Sequence, residues 1–316
     1  MMPDNEVQIL RNPSPDDRAG RLPDFILIGA MKSGTTSLFQ LFRRHPQILM
    51  CTPKEPQFFS RDHVYARGEQ WYRSLFADAA EDQICGEAST CYSRWPHYSD
   101  AAARIAQTIP DVKLIYLMRH PVERAYSHYR HRMTQRAMHG ECILPFDEAL
   151  SAIPEIVDAS LYMMQIEVYL AHFPQEQFLF LLLEDLSAAP AQAIAQVQRF
   201  LGLDPTPSEF SVGTVANEAG SMFARTSMWR LTERIRHAPV VPLLISAFPQ
   251  NMRRGLRELL MRPEIAQTVF AWKTRRHESR LSELTPRIRK RLLDQFAGAT
   301  RQLETFLERR LPKWYV

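Results

Sequence analysis

Residues 24–36 read DFILIGAMKSGTT, and this stretch decides the fold. Its first half is a short apolar run that ends in Gly29, which is the pattern of a buried parallel strand entering a loop. After the loop, apolar residues recur at helical spacing from Leu38 to Phe42, until Pro46 ends the pattern. The sequence therefore predicts a strand, a phosphate-sized loop and a helix in succession.

Two further apolar runs extend this pattern along the chain. Residues 112–118 (VKLIYLM) end on Arg119, and residues 178–183 (FLFLLL) end on Glu184. Helical patterns separate the three runs, and strands that alternate with helices form mostly parallel sheets. We predict an α/β fold with a P-loop-like central parallel sheet flanked by helices on both faces. Ligands of such sheets bind beyond the carboxyl ends of the strands.

The ends of the chain differ from its middle. Residues 1–22 are polar and rich in Pro and Asp, which predicts a flexible N-terminal tail. We expect residues 23–316 to form a single domain, in which residues 217–316 are mostly helical and basic. The most apolar late stretch, residues 239–248, is about half the length that a membrane-spanning helix needs, so we expect no transmembrane segment.

Composition and charge exclude several classes of protein. The chain has 39 Lys and Arg against 35 Asp and Glu, a net charge of only +4, and no nucleic-acid-binding motif, so we predict no nucleic-acid partner. Its four cysteines form no Cys-x-x-Cys pair and no metal-ligand spacing. This pattern predicts free thiols, a cytoplasmic location and no metal site.

The loop after the first strand has the residues of an anion site. Gly29 and Gly34 permit tight turns, the amides of residues 33–36 open a helix N-terminus, and Lys32 adds a positive charge. Here the lysine precedes Gly34 by two positions, whereas in a Walker A loop the glycine comes first. An incidental Gly/Ser-rich turn is the alternative for this segment alone.

A second candidate site follows the second predicted strand. Arg119 stands where a nucleotide hydrolase commonly places an Asp for magnesium, and a cation there suits a phosphate. Pro121 begins a predicted helix, and Ser127 comes eight positions after Arg119, so both side chains can converge on one phosphate. By itself, an Arg before a Pro turn fits a structural role equally well.

Together the two loops resemble the superfamily of sulfotransferases that use 3′-phosphoadenosine 5′-phosphosulfate (PAPS). In that superfamily a 5′-phosphosulfate loop after the first strand is paired with a 3′-phosphate motif built from a strand, a loop and a helix. The resemblance is closest to the heparan-sulfate-type and bacterial carbohydrate sulfotransferases, and it runs from residue 24 to the terminal LPKW. The other similar segments are KEPQFF (54–59), GEAS (86–89), FLFLLLEDL (178–186), RFLGL (199–203) and Asn217.

The resemblance implies roles for individual residues. The 5′-phosphosulfate would be held by Lys32, Ser33, Gly34, Thr35 and Thr36, and the 3′-phosphate by Arg119 and Ser127. Glu55 in KEPQFF corresponds to the family's catalytic glutamate, and Lys54 would lie near the acceptor. A late basic loop that closes over the nucleotide is matched more loosely by Lys273, Arg275 and Arg276.

The sequence thus predicts a sulfotransferase that moves the sulfuryl group of PAPS to a hydroxyl or amine and releases 3′-phosphoadenosine 5′-phosphate (PAP). The acceptor would be a carbohydrate or another small molecule. Glu55 would act as general base without a metal, Lys32 would stabilise the leaving phosphate, and His128 and then His63 are the alternative bases. Two other functions stay open: a nucleotide or small-molecule kinase of related topology, and a non-catalytic protein that binds a nucleotide or glycan. The sequence sets neither the acceptor nor the oligomeric state.

Overall fold

A computed structural model describes residues 20–204 and 281–316 of the chain. Its centre is one sheet of five parallel strands in the order β2-β3-β1-β4-β5. The strands are β1 (Phe25–Gly29), β2 (Ile48–Met50), β3 (Ile84–Ala88), β4 (Lys113–Met118) and β5 (Phe178–Leu182). The three strands predicted from apolar runs are confirmed as β1, β4 and β5, and they are neighbours in the sheet.

Helices connect consecutive strands, as a parallel sheet requires. The α-helices of the described chain are α1 (Thr35–Arg44), α2 (Asp62–Tyr65), α3 (Gly68–Ser74), α4 (Ala101–Thr108), α5 (Pro121–Met138), α6 (Phe146–Ala152), α7 (Glu155–Asp158), α8 (Tyr162–Leu170), α9 (Leu183–Ala188), α10 (Pro190–Leu201) and α11 (Pro286–Phe306). Short 3₁₀ turns occur at Phe58–Ser60, Gln175–Gln177 and Pro312–Tyr315.

The sheet buries both of its faces. In β1, Ile26 and Ile28 face one apolar cluster, which includes residues of α4 and α8. Phe25 and Leu27 face a second cluster, which includes residues of α1 and α10. The alternation follows from the two-residue period of a strand, and it confirms the predicted α/β fold with helices on both faces.

Strands β2 and β3 carry weaker sequence signals than the other three. Strand β2 has only three residues, and β3 contains Gly86 and Glu87, which interrupt its apolar run. The glycine is required by close packing, because a Cβ atom at position 86 would lie 2.3 Å from Cζ of Phe25 and 2.6 Å from Sδ of Met50. The glycine that interrupts the strand in the sequence is therefore a consequence of its place between β1 and β2.

The C-terminal segment packs back onto the sheet domain. Leu292 and Phe296 of α11 are buried against α5 and α6, and Trp314 is buried beside Tyr162 of α8. Helix α11 agrees with the predicted helical C-terminal region. Residues 1–19 of the proposed N-terminal tail, Asn217 and the late basic residues Lys273, Arg275 and Arg276 lie outside the described residues. The last part of the proposed tail is described, and there Gly20 is buried and Leu22 packs against the apolar core. The single-domain boundary at residue 23 stays a prediction. None of the helices in the two described ranges is long and apolar enough to cross a bilayer.

Candidate functional site

The loop between β1 and α1 forms a cradle for an anion. Gly34 is the N-cap of α1 and has a left-handed φ of 92°, which favours glycine, and no side chain caps the helix there. A Cβ atom at position 34 would also come within 2.8 Å of Leu183 Cδ1. Lys32, just before the cap, has a left-handed φ of 73°, the kind of strained backbone found at ligand sites. The first amides of α1 thus open toward the end of the sheet, as predicted.

The charge around this loop is strongly positive. The pKa of Lys32 falls from 10.5 to about 8, first because the ammonium is buried and then because Arg119, Lys54 and Arg130 lie nearby, while Glu55 opposes the shift. Four cations drawn from three segments therefore surround one helix N-terminus. An anion bound among them would lower their mutual repulsion, so this set of residues fits a ligand with several negative charges.

Arg119 is fixed by its backbone as much as by its side chain. The Tyr162 hydroxyl donates to the Arg119 carbonyl oxygen at 2.5 Å and lies 3.2 Å from the Arg119 amide nitrogen. The next amide, that of His120, donates to Glu184 Oε1 at 2.8 Å. Arg119 Nη1 donates to the carbonyl oxygen of Lys32 at 3.3 Å. The loops after β1 and β4 therefore meet at the same edge of the sheet, as the sequence predicts.

Two arginines near the start of α5, Arg119 just before the helix and Arg124 within it, have different surroundings. Arg119 Nη2 lies 4.0 Å from Glu123 Oε2, and Ser127 is four positions after Glu123 on the same, half-buried helix face. Arg124 is fully buried instead, and its guanidinium binds Ser160 Oγ at 2.5 Å, the Ile156 carbonyl, and the Met31 carbonyl at 3.4 Å. Arg124 thus supports the loop after β1 through the Met31 carbonyl. The role of Ser127 stays a prediction.

Glu55 lies at the edge of the cationic cluster. Its Oε1 is 3.3 Å from Lys54 Nζ and accepts a hydrogen bond from Thr90 Oγ1 at 3.2 Å. Lys54 Nζ also donates to Thr36 Oγ1 at 3.1 Å, so this lysine joins the carboxylate to the first turn of α1. The structure thereby brings Lys32, Arg119, Lys54 and Glu55 to one site, where a carboxylate and an anion cradle lie side by side.

The two histidines considered as alternative bases have other environments. His128 is fully buried, its Nδ1 lies 3.4 Å from Arg124 Nη1, and burial together with that cation lowers its pKa well below the usual value. His63 is exposed on the short helix α2. Neither surrounding resembles that of Glu55, whose carboxylate is linked to the anion cradle through Lys54.

Some residues of the site carried little sequence signal. Tyr162 belongs to a Met- and Tyr-rich helical pattern that is typical of a buried core. Its ring is indeed buried, yet its hydroxyl donates to the Arg119 carbonyl and so holds that loop. Thr90 and Glu184 contribute single hydrogen bonds across 35 and 64 positions of sequence. The sequence pointed to this site only through the polar residues that follow the apolar strands, such as Glu184 after β5. Across residues 20–204 and 281–316, no group of three or more His, Cys, Asp or Glu side chains is arranged to hold a metal ion.

Comparison with known proteins identifies the family. The family model described as "Sulfotransferase domain" matches residues 22–218. The chain is 36% identical over 193 residues to heparan sulfate glucosamine 3-O-sulfotransferase 6 of Homo sapiens, an alignment that covers 58% of this chain and 53% of that protein. It is 31% identical over 236 residues to bifunctional heparan sulfate N-deacetylase/N-sulfotransferase 3 of Mus musculus, covering 65% of this chain and 26% of the relative. The chain thus spans about a quarter to a half of the length of these curated relatives.

A solved structure agrees in fold. The sulfotransferase from Alicyclobacillus acidocaldarius superposes with a TM-score of 0.61 at 23% identity and covers 94% of this chain and 100% of its own. At that identity the likeness concerns the fold alone. Because the family model spans more than half of the 316 residues and coincides with the strands and loops that build the site, the chain belongs to the sulfotransferase family.

Proposed function

We propose that the protein transfers a sulfuryl group from PAPS to a hydroxyl or amine of a carbohydrate or related small acceptor. The observation that carries the proposal is the junction of Lys54 with both Thr36 and Glu55, which joins an anion-binding loop to a carboxylate. Such a junction suits a reaction in which a proton leaves the acceptor while negative charge grows on the donor.

The donor half of the proposal rests on the shape and charge of two loops. The amides of residues 33–36 and the side chain of Lys32 would hold the 5′-phosphosulfate, and Arg119 with Ser127 would hold the 3′-phosphate. PAPS supplies an activated sulfuryl group on a phosphate leaving group. Lys273, Arg275 and Arg276 are proposed to cover the nucleotide, in keeping with the family resemblance.

The catalytic half of the proposal assigns one task to each of three side chains. Glu55 would accept the proton of the acceptor hydroxyl as the new oxygen–sulfur bond forms, and Lys32 would stabilise charge on the leaving phosphate as the old bond breaks. Lys54, which lies 3.3 Å from Glu55 Oε1, would orient the Glu55 carboxylate beside the acceptor. Positioning and fixed charge supply the catalysis, with no covalent enzyme intermediate and no metal.

The acceptor class follows from the relatives. Two of them are named for heparan sulfate, a glycan, so we propose a carbohydrate acceptor first, with other small hydroxyl compounds as the next class. All four cysteines are free thiols, which supports the proposed cytoplasmic location.

The donor assignment is tested by calorimetry on the purified chain. PAP should bind far more tightly than AMP, because only PAP carries a 3′-phosphate for Arg119. Incubation with labelled PAPS and a panel of desulfated oligosaccharides should then give a labelled product with the mass gain of one sulfate. Equal affinity for PAP and AMP contradicts the donor assignment, and label transfer to phenols alone contradicts the carbohydrate class.

A kinase reaction is the competing proposal, and it requires magnesium for phosphoryl transfer. Sulfuryl transfer at this cationic site should continue in the presence of EDTA. Complete loss with the chelator, restored by magnesium, favours the kinase.

A further inference from the structure

Glu87 is a fully buried carboxyl that has no task in the proposed transfer. It lies near the end of β3, where the Tyr72 hydroxyl donates to Oε2 and the Ser89 hydroxyl donates to Oε1 at 2.6 Å. Burial raises its pKa to about 7, against the effect of these hydrogen bonds. An ionisable group in an apolar core is unfavourable unless its partners compensate, so the network around Glu87 calls for an explanation.

Ser89 connects this carboxyl to the segment that holds Glu55. The Ser89 oxygen accepts a hydrogen bond from the Gln57 amide at 3.1 Å while its proton goes to Glu87. Next to it, the Glu55 amide donates to the Ala88 carbonyl at 3.1 Å. Two successive residues at the end of β3, Ala88 and Ser89, thus hold the backbone of residues 55–57.

The backbone of residues 55–57 needs this support, because two of its residues have an unfavourable conformation. Glu55 has a φ of 57° and Gln57 a φ of 58°, both in the left-handed region that side-chain-bearing residues rarely adopt. Without the bond to Ser89, the Gln57 amide would lose its partner and the turn could relax toward a more extended backbone. The Glu55 carboxylate would then move relative to Lys54.

The far end of the segment is anchored separately by aromatic rings. Phe58 stacks on Tyr72 with centroids 4.5 Å apart, and the Phe59 amide donates to the Tyr92 hydroxyl at 3.3 Å. Tyr72 therefore serves both anchors, since its ring packs on Phe58 and its hydroxyl binds Glu87. The aromatic cluster fixes where the segment ends, whereas Glu87 and Ser89 fix the turn that carries the carboxylate.

We propose that Glu87 is a positioning residue that acts through the Ser89 hydroxyl to hold the left-handed turn of residues 55–57, and thereby the carboxylate of Glu55, in its reactive place. The inference rests on the proposed function of Glu55 as the general base. Glu87 itself touches neither donor nor acceptor. Its effect is on the geometry of proton removal, so it should appear in turnover and leave donor binding unchanged.

The test is a cycle of variants assayed with PAPS and a confirmed acceptor. Ser89→Ala should lower kcat by about 10- to 100-fold, as expected for misplacement of a catalytic group, and should keep PAP affinity within about twofold of the parent. Ser89→Thr, which keeps the hydroxyl, should retain most of the activity. In a Glu55→Gln background, Ser89→Ala should lower kcat by less than about threefold, because the positioned base is already absent.

The control is Ser74→Ala, which removes a hydroxyl that bonds the carbonyl of Trp71 in its own helix; this change should leave kcat unaltered. If Ser89→Ala is misfolded, as shown by the loss of both cooperative melting and PAP binding, Tyr72→Phe replaces it in the cycle. That change keeps the ring stacked on Phe58, removes only a hydrogen bond to Glu87, and should lower kcat by about 3- to 10-fold.

The outcomes separate this inference from the base assignment. If Glu55→Gln loses most of its kcat while the folded Ser89→Ala or Tyr72→Phe variant keeps its kcat, only the positioning role is overturned. If Ser89→Ala lowers kcat by the same factor in the parent and in Glu55→Gln, its effect is a general structural one, and the positioning role is again overturned. Near-normal turnover of Glu55→Gln overturns the base assignment and the positioning role together.

Discussion

The loop after β1 and the segment after β2 lie side by side, yet they are built differently. Residues 30–36 present backbone amides at a helix N-terminus, and their turn depends on the left-handed backbone of Lys32 and Gly34. Residues 54–57 depend on hydrogen bonds to the Ala88 carbonyl and the Ser89 oxygen and on one from the Thr90 hydroxyl, all more than 30 positions away in sequence. The turn of the anion cradle is thus set by its own backbone, with added support from Arg119 and Arg124, whereas the position of Glu55 depends mainly on contacts with a distant strand.

This difference predicts that changes to the two regions affect different steps. Alterations of the cradle should change donor affinity, and alterations of the Glu55 segment should change turnover. The Lys54 side chain bonds Thr36 in the first region and Glu55 in the second, so its substitution should change both steps.

The largest expected effect is that of Glu55→Gln. This change keeps the size of the side chain and removes the base, so turnover should fall by about 10²- to 10⁴-fold while PAP affinity stays nearly constant. Lys32→Ala should instead weaken donor affinity and turnover together, because Lys32 would contact the phosphosulfate before and during transfer. Steady-state kinetics and calorimetry on both variants check this separation, and parallel loss of PAP binding in Glu55→Gln would contradict it.

A second change tests whether the cradle is purely local. Arg124→Met leaves the acceptors at Met31, Ile156 and Ser160 without their guanidinium partner in a buried site. The unfolding free energy should fall by about 2 to 5 kcal/mol, with a smaller change in PAP affinity of the folded protein. Denaturant unfolding measures the loss, and Arg132→Met, an exposed change on the same helix, is the control. If Arg124→Met abolishes PAP binding without destabilising the fold, Arg124 contacts the ligand.

Arg119 should behave in the opposite way, although it lies only five residues before Arg124. Arg119→Ala should weaken PAP binding by about 2 to 4 kcal/mol, or roughly 30- to 1000-fold, with little change in thermal stability. AMP lacks the 3′-phosphate, so its weaker binding should change much less. Calorimetry with both nucleotides checks this prediction, and equal losses for PAP and AMP would place Arg119 elsewhere in the nucleotide site.

The sequence was informative where structure is local. The pattern of an apolar strand that ends on a glycine or a charged residue located β1, β4 and β5, together with both cationic loops. It did not reveal β2 or β3, because one is three residues long and the other is interrupted at Gly86 by the close approach of Phe25. Glu55 was assigned from its likeness to a family motif, since no local pattern distinguishes a base from a surface ion pair.

The supporting hydrogen bonds lay beyond sequence reasoning for the same physical reason. Tyr162 and Tyr72 occur in stretches whose rings are core, and nothing nearby in sequence shows that their hydroxyls bind Arg119 and Glu87. Such contacts depend on which strands become neighbours. Sheet order, which the sequence did not provide, therefore decides how the site is supported.

The smallest expected effect is a pH dependence of donor affinity that arises in the cradle alone. Burial and neighbouring cations lower the pKa of Lys32 to about 8 in the ligand-free protein, so its ammonium loses its proton above pH 8. Between pH 8 and 10.5 the folded state binds fewer protons at this site than the unfolded chain, so this group contributes stability that increases with pH across that window.

An anionic ligand favours the charged form, and PAP binding should therefore take up a proton above pH 8. Its affinity should fall by up to about tenfold per pH unit there. Calorimetry in buffers of different ionisation enthalpy measures that uptake. In Lys32→Arg the guanidinium stays charged, so PAP affinity should not change with pH over the same range. The ratio of kcat in Glu55→Gln to kcat in the parent should also be independent of pH there, because the titrating group lies in the cradle. Constant wild-type affinity up to pH 9.5 would show that Lys32 is not held among these cations in solution.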